Sequence, residues 1–259
     1  MSPELLAQGG QGYNAIVDGE KIITELLKKK IERADVSQLT EVLSDLDQSQ
    51  DHMSLGALTW SLPADETRRL KVLATLSRVG VGLAQTLRGL LDSKAPLVRA
   101  HAAGILGKVG DKAAVEKLID RLGDEHQDVR RKVAMALGRL GDARAVAPLI
   151  EILSEDKAFG ARSKAALALG LIGDEKAIAP LVAALADEFA FVQADAAHGL
   201  GTMKARGAVG PLLSALESAA PVVRLEILRA LTRIGGPKAL EAIAPYKDDP
   251  DPDIRKAVN

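Results

Sequence analysis

Aspartate and arginine recur in the sequence as pairs six residues apart, and such pairs could serve in acid–base chemistry. Successive pairs are separated by about 31 residues or a multiple of it, which is the length of one helix pair. A catalytic site needs to occur only once, so this recurrence favours a structural role. The pairs are Asp124 with Arg130, Asp156 with Arg162, and Asp249 with Arg255.

The chain has four histidines and no cysteine, which limits the metal and nucleophile chemistry open to it. Without cysteine there is no thiolate nucleophile, no disulfide and no cysteine-based metal site. His101 and His198 lie three repeats apart at different helix positions, so they are not expected to share a site. The sequence therefore predicts no catalytic residue, no metal ligand and no cofactor.

The elements that carry these residues form a repeat, which is clearest from Asp128 to Leu153. Hydrophobic spacing there predicts one helix, a break at Gly141-Asp142 and another helix. Glycine can end a helix in the left-handed conformation, and the aspartate can cap the next one. The equivalent arginines of successive repeats are Arg69, Arg99, Arg130, Arg162, Arg224 and Arg255, with Gln193 in the remaining place.

The repeat divides the chain into four predicted parts. Residues 1–18 are rich in glycine and glutamine and predict a flexible arm. Residues 19–50 predict two atypical helices that cap the array, and residues 51–79 resemble a degenerate first repeat. Residues 80–259 hold about five full repeats and a shortened C-terminal one.

Two stretches in particular, GDKAAVEKLIDRLGDEHQDVRRKVAMALGRL and GDARAVAPLIEIL, resemble bacterial HEAT repeats of the short type named after phycobilisome lyases. The resemblance covers about residues 80–259. It implies an all-α fold: a right-handed α-solenoid of stacked antiparallel helix pairs, with the second helices lining the concave face. It also implies that the Asp/Arg pairs form a ladder between layers, broken at Asp187 with Gln193 and at Ser218 with Arg224.

Metal catalysis on this fold is represented by the deoxyhypusine hydroxylase family, whose iron ligands are His-Glu pairs. Glutamate follows none of the four histidines here. The residues that follow them are Met53, Ala102, Gln127 and Gly199. The sequence therefore favours a protein without enzymatic activity.

The exposed row of the second helices is the predicted partner-binding surface. Met135, Leu167 and Leu171 would form an apolar patch on it, and a solvated face should not leave two leucines in the open one turn apart. The alternative is that a curved array buries Leu167 and Leu171. The predicted partner-binding residues are Lys108, Lys132, Met135, Arg139, Lys164, Leu167, Leu171 and His198.

Three phenylalanines, Phe159, Phe189 and Phe191, fall in the helix-to-helix turns of adjacent repeats. Aromatic side chains at an edge can anchor a binding partner. They can equally cover the gap left where one repeat carries an extra residue and the next lacks its ladder arginine. Both interpretations remain open at the level of sequence.

Composition and resemblance together predict a cytoplasmic interaction scaffold that binds another protein or a peptide. The resemblance also leaves a bilin lyase-type, chromophore-handling subunit as an alternative. A net charge of −1 and only six aromatic residues disfavour nucleic-acid binding, although residues 81–172 are basic. No apolar stretch is long enough for a transmembrane helix, and the oligomeric state is left undefined.

Overall fold

The structure, a computed structural model, describes residues 84–85, 87–94 and 96–259. The predicted arm, capping helices and degenerate repeat (1–79) lie outside these residues. In the described part of the chain all regular structure is helical, without a strand, and no helix there has the length and apolar character to cross a bilayer. The chain divides into two compact units, Met1–Val109 and Gly110–Asn259.

In the first unit, helix α1 spans Pro96–Val109. Arg99 is buried near its start, where its guanidinium donates to the carbonyl oxygen of Ser93 at 2.8 Å and to that of Lys94 at 3.2 Å. These bonds fasten α1 to the turn that precedes it.

The second unit is a succession of helix pairs. The first helices are α2 (Val115–Asp120), α4 (Val146–Glu155), α6 (Ile178–Ala183), α8 (Val209–Leu216) and α10 (Pro237–Ile243). The second helices are α3 (Gln127–Leu140), α5 (Phe159–Ile172), α7 (Ala190–Thr202), α9 (Pro221–Ile234) and α11 (Pro252–Val258). Each second helix packs on the next, and α2, α4, α6 and α8 each pack on the helix that follows. The predicted fold class, an all-α solenoid of helix pairs, is confirmed.

The breaks between repeats have the predicted chemistry. Gly141 and Gly173 end α3 and α5 in the left-handed conformation, with φ of 67° and 78°. The carboxylates of Asp142 and Asp174 then accept hydrogen bonds from backbone N–H groups two residues later. After α7 the break lacks glycine, and Lys204 adopts the left-handed conformation instead, at φ 51°.

The recurring prolines lie in first helical turns. Pro148, Pro180 and Pro211 are the third residues of α4, α6 and α8, where the missing N–H is not needed by the helix. A short 3-10 turn precedes each of these helices. Each of these three first helices therefore begins irregularly.

The second helices approach each other through a column of glycines. A methyl group added to Gly138 would lie 2.5 Å from Cα of Ala168, and one added to Gly170 would lie 2.4 Å from Cα of Gly199. Gly201 has the same relation to Ala230, at 2.7 Å. Backbones are thus in direct contact from α3 to α9.

The glycine column ends at α9, where Thr232 takes the equivalent position. Its hydroxyl donates to the carbonyl oxygen of Leu228 at 2.9 Å and can also donate to that of Ala257 in α11 at 3.0 Å. A side chain therefore bridges α9 and α11, whereas glycines allow direct backbone contact between α3 and α5, α5 and α7, and α7 and α9.

Candidate interaction surface

A ladder of arginines links successive repeats at their turns. Arg130 donates through Nε and NH2 to the two carboxylate oxygens of Asp156 in the next repeat, at 2.6 and 2.8 Å. A third bond runs from its NH1 to the backbone carbonyl of Asp124, at 2.9 Å. The residue six positions earlier thus contributes its main chain, and the carboxylate partner belongs to the following layer.

Arg162 repeats this geometry one layer on. It donates to the carboxylate of Asp187 at 2.7 and 3.0 Å and to the backbone carbonyl of Asp156 at 2.8 Å. Both side chains are nearly buried, with exposures of 9% for Arg162 and 11% for Asp187. A planar guanidinium suits such a two-pronged bond to a carboxylate.

The two predicted interruptions of the ladder, at Gln193 and at Ser218, are the two sides of one missing bond between repeats. Gln193 occupies the arginine position, and its amide donates to the carbonyl of Asp187 at 2.5 Å, which preserves the main-chain bond. Ser218 is where the carboxylate for that missing arginine would lie. The sequence interpretation counted two breaks because it paired residues within a repeat, whereas the side chains pair between repeats.

At the end of the ladder Arg255 keeps only its main-chain bonds, to the carbonyls of Asp249 at 2.6 Å and Pro250 at 2.9 Å. Arg224 is exposed, and its guanidinium forms no hydrogen bond with the residues that the structure describes. The described carboxylate rungs are therefore those of Arg130 and Arg162.

The arginines and carboxylates of the ladder stabilise each other's charged forms. Burial alone would raise the pKa of the Asp156 carboxyl, but hydrogen bonds from Arg130 and the N–H of Ala158 outweigh burial and hold that pKa below its ordinary value. The bond to Asp156 raises the pKa of Arg130, and the bond to Asp187 raises that of Arg162. Paired in this way, Asp156 stays ionised near neutral pH and is poorly suited to proton transfer.

The second-helix face is the row of residues at positions i, i+3 and i+7 on α3, α5, α7 and α9, which includes the predicted partner residues of these helices. Its members in these helices are Lys132, Met135, Arg139, Lys164, Leu167, Leu171, Asp195, His198, Thr202, Glu226, Arg229 and Arg233.

One half of this face is a network of paired charges. Lys164 reaches the carboxylate of Asp195 on the next helix at 3.1 Å, and Ser163 donates to the same oxygen. His198 Nδ1 lies 3.2 Å from Glu226 Oε2 and 3.3 Å from the guanidinium of Arg233. The sequence signal for Lys164 and Asp195 was available, because they hold the same position in adjacent repeats.

Glu226 is held ionised within this network. The hydrogen bond with His198 is the main influence that lowers the pKa of Glu226, and Arg229 at 2.5 Å adds to it, while burial opposes both. The predicted partner residues Lys164 and His198 are therefore engaged with their own chain.

The other half of the face differs in having cations without anionic partners. The side chains of Lys132 and Arg139 form no ion pair or hydrogen bond with the residues that the structure describes, and burial lowers the pKa of each. Nearby Arg131 and Arg139 lower the pKa of Lys132 further. The acidic neighbour on α3, Asp128, is paired with Arg131 at 3.1 Å.

Between and beside these cations lies the apolar part of the predicted patch. Leu171 is 49% exposed, and Met135 and Leu167 are half-buried. The alternative that the array buries both leucines is therefore wrong for Leu171. We call the surface formed by Lys132, Met135, Arg139, Leu167 and Leu171 the α3–α5 patch.

The phenylalanines form a second exposed apolar feature, at the turn edge. The rings of Phe159 and Phe189 stack with centroids 4.7 Å apart, and the guanidinium of Arg162 lies 5.5 Å from the centre of the Phe189 ring. Phe191 stands apart from this stack and is 63% exposed. Phe189 thus packs against both Phe159 and a ladder arginine, while Phe191 is open to solvent.

The model for HEAT repeats matches residues 55–129, 115–201 and 178–259. The chain belongs to the HEAT-repeat family. Among solved structures, the complex of CpcE and CpcF of phycocyanin lyase from Nostoc sp. PCC7120 is similar, with 27% identity, a TM-score of 0.57, and coverage of 68% of this chain and 74% of that one.

Two engineered proteins share the fold of this HEAT-repeat protein. One has 20% identity and a TM-score of 0.59 over 92% of this chain and 72% of its own. The other has 23% identity and a TM-score of 0.55 over 68% of this chain and 93% of its own. No curated protein matched the sequence.

Two further predicted features of this HEAT-repeat protein concern Lys108 and metals. Lys108 is exposed on α1, in the first compact unit, whereas the other predicted partner residues belong to the second. Within the described residues, no three histidine, aspartate or glutamate side chains come together as a metal site would require.

Proposed function

We propose that this HEAT-repeat protein is a non-catalytic scaffold that binds another protein or a peptide on its second-helix face. The observation that carries the proposal is the α3–α5 patch, where the exposed Leu171 lies near a half-buried lysine and an exposed arginine whose side chains have no partner among the described residues. Exposed apolar groups with charges at their margin are typical of protein-binding surfaces.

Packing supports the choice of this face. Glycine contacts draw the second helices together, whereas Gly210 in the first helix α8 has no atom within 4 Å of an added methyl group. A two-layer array bends toward the more closely spaced layer, and the close approach of the second helices supports the proposal that their face is the inner one. A preformed inner surface binds an extended partner at little cost in conformational entropy.

The proposal is tested by affinity capture from an extract of the source cell. We expect Leu167→Ser with Leu171→Ser to lose partners that the wild type retains. The matched control is Leu240→Ser, because Leu240 is 54% exposed on the first helix α10. Equal capture by wild type and double variant would contradict the proposal.

Folding is checked by circular dichroism and Tm. If the double variant unfolds, Leu171→Ser alone replaces it, since the exposed position of Leu171 makes a single substitution tolerable.

A second candidate is a chromophore-handling subunit, favoured by the likeness to the phycocyanin lyase complex. Addition of phycocyanobilin should then shift the bilin absorbance, and an unchanged spectrum at saturating protein would exclude this function. Nucleic-acid binding has less support, because Arg131 is paired with Asp128 and Lys164 with Asp195.

A further inference from the structure

The α3–α5 patch places charge and apolar surface in a fixed order along one helix. Lys132, Met135 and Arg139 lie at i, i+3 and i+7 on α3, so they share one face. The two cations are about 10 Å apart along the helix axis, with the thioether between them. Leu167 and Leu171 hold the positions on α5 that Met135 and Arg139 hold on α3.

The charges around the patch are unbalanced. Towards α7, Lys164 is neutralised by Asp195, and on α3 itself Arg131 is neutralised by Asp128. The side chains of half-buried Lys132 and exposed Arg139 have no carboxylate partner among the described residues. A partner with carboxylates would pair with both cations, whereas a basic partner would place further positive charges next to them.

The shape of the surface selects the form of the partner. Neighbouring packed helices such as α3 and α5 are about 8–10 Å apart, which leaves a shallow groove between their exposed side chains. The backbone N–H and C=O groups of both helices are used within the helices, so there is no edge to which an extended strand could bond. An amphipathic helix fills such a groove with apolar residues at i, i+3, i+4 and i+7.

We propose that the α3–α5 patch binds an acidic amphipathic helix of a partner protein, which covers Met135, Leu167 and Leu171 with apolar side chains and pairs its carboxylates with Lys132 and Arg139. This inference rests on the proposed scaffold function and specifies the chemistry of the partner.

Designed peptides test this chemistry directly. The probe is a fluorescein-labelled helical peptide of about 20 residues with leucines at i, i+3, i+4 and i+7 and glutamates flanking them. One matched peptide carries lysine in place of each glutamate, and another carries serine in place of each leucine. Binding to the full chain is measured by fluorescence anisotropy at low and moderate salt.

We expect the acidic leucine peptide to bind about tenfold more tightly than the lysine peptide, and more weakly as salt rises. The serine peptide should not bind. Equal affinity for the acidic and basic peptides, or no binding by either, would overturn the proposal. So would displacement of the acidic peptide by duplex DNA at low micromolar concentration, because the patch would then be a nucleic-acid surface.

Charge-reversal variants locate the site. Lys132→Glu with Arg139→Glu should weaken the acidic peptide about tenfold and improve binding of the basic one. Lys176→Glu with Arg206→Glu is the control, because these exposed cations lie in turns before first helices. Lys132→Gln with Arg139→Gln supplies a milder variant if the reversal disturbs folding. Unchanged affinity in the patch variants would contradict the proposed site.

The two proposals fail in different ways. If the Leu167/Leu171 variant loses its captured partner but the peptides show no charge preference, the scaffold function stands and the acidic partner is wrong. If capture is also unaffected by the Leu167/Leu171 variant, both proposals are wrong.

Discussion

At the scale of single residues, Arg162 does two separable jobs. Its NH1 closes the turn of its own repeat through the carbonyl of Asp156, and its Nε and NH2 join the next repeat through the carboxylate of Asp187. Gln193 does only the first of these, opposite a position that carries Ser218. The chain thus contains a natural example of the ladder with one bond type removed.

This example predicts the outcome of a double-mutant cycle. Arg162→Gln should destabilise the protein by about 3 kcal/mol, because Asp187 loses its partner in a nearly buried position. Arg162→Gln with Asp187→Ser copies the natural Gln193/Ser218 pair and should recover part of this loss. Urea unfolding measures these two variants and Asp187→Ser alone, which completes the cycle, and a double variant less stable than Arg162→Gln would contradict the prediction.

The ladder also predicts a pH dependence. The folded-state pKa of Asp156 is lowered, so its contribution to stability is present above the unfolded pKa of about 3.9 and is lost as pH falls through the folded value. Arg130→Met removes the hydrogen bond that most strongly lowers this pKa, while burial continues to raise it, so the contribution of Asp156 becomes smaller. The difference in the free energy of unfolding between the wild type and Arg130→Met should therefore become smaller as the pH falls from 7 to 3.

Urea unfolding at several pH values measures this gap. A suitable control is Arg224→Met, since Arg224 is exposed and outside the described ladder bonds. Its gap from wild type should stay small and constant. A gap for Arg130→Met that widens on acidification would refute the assignment.

At the scale of helices, spacing is set by the glycine column. Gly170 and Gly199 bring the backbones of α5 and α7 into contact, and an added methyl group has only 2.4 Å to the nearest Cα. Helix propensity alone would favour alanine at such positions by about 1 kcal/mol. The contact must therefore outweigh propensity for glycine to be the better residue.

Gly170→Ala should consequently destabilise the protein by about 2 kcal/mol, because the two helices must move apart. The matched substitution is Gly210→Ala in α8, where the added methyl group meets no atom within 4 Å. It should leave stability unchanged or raise it slightly. Thermal and urea unfolding compare the two, and equal effects would show that packing is not the cause.

Helix pairs, breaks and irregular helix starts were predictable because each depends on nearby residues, such as Gly141 with Asp142 or Pro148 in its first turn. The ladder partners depend on how one layer lies on the next, so spacing along the chain suggested Asp124 for Arg130 where the carboxylate is that of Asp156. The same holds for the patch. Its residues were identifiable, but the unpaired state of Lys132 and the pairing of Lys164 arise from interlayer register.

At the scale of the whole second unit, the missing rung distinguishes the α7–α9 interface from the α3–α5 and α5–α7 interfaces, which each have an Arg–carboxylate bond. In a repeat array each layer contacts only its neighbours, so stability is a sum of local interfaces. The contact between α7 and α9 keeps its glycine approach at Gly201 but lacks the Arg–carboxylate bond. We expect it to be the weakest of the three interfaces α3–α5, α5–α7 and α7–α9.

Restoring the rung tests this expectation. Gln193→Arg with Ser218→Asp should stabilise the protein by about 1 kcal/mol, a modest value because position 218 is exposed. Hydrogen exchange should slow mainly in helices α8 and α9. Neither substitution alone should have this effect, and a gain from Ser218→Asp alone would point to capping of α9 instead.

Thr232 distinguishes the last complete repeat from the repeats before it. The units that contain Gly138, Gly170 and Gly201 each offer a bare backbone to the layer that follows, and that layer offers Ala168, Gly199 or Ala230. These units could serve as internal cassettes of a longer engineered array, provided that each ladder arginine meets an aspartate in the next unit. The unit that contains Thr232 offers a side chain in place of the bare backbone and bonds Ala257 through its hydroxyl, which suits it to the last complete position of such an array.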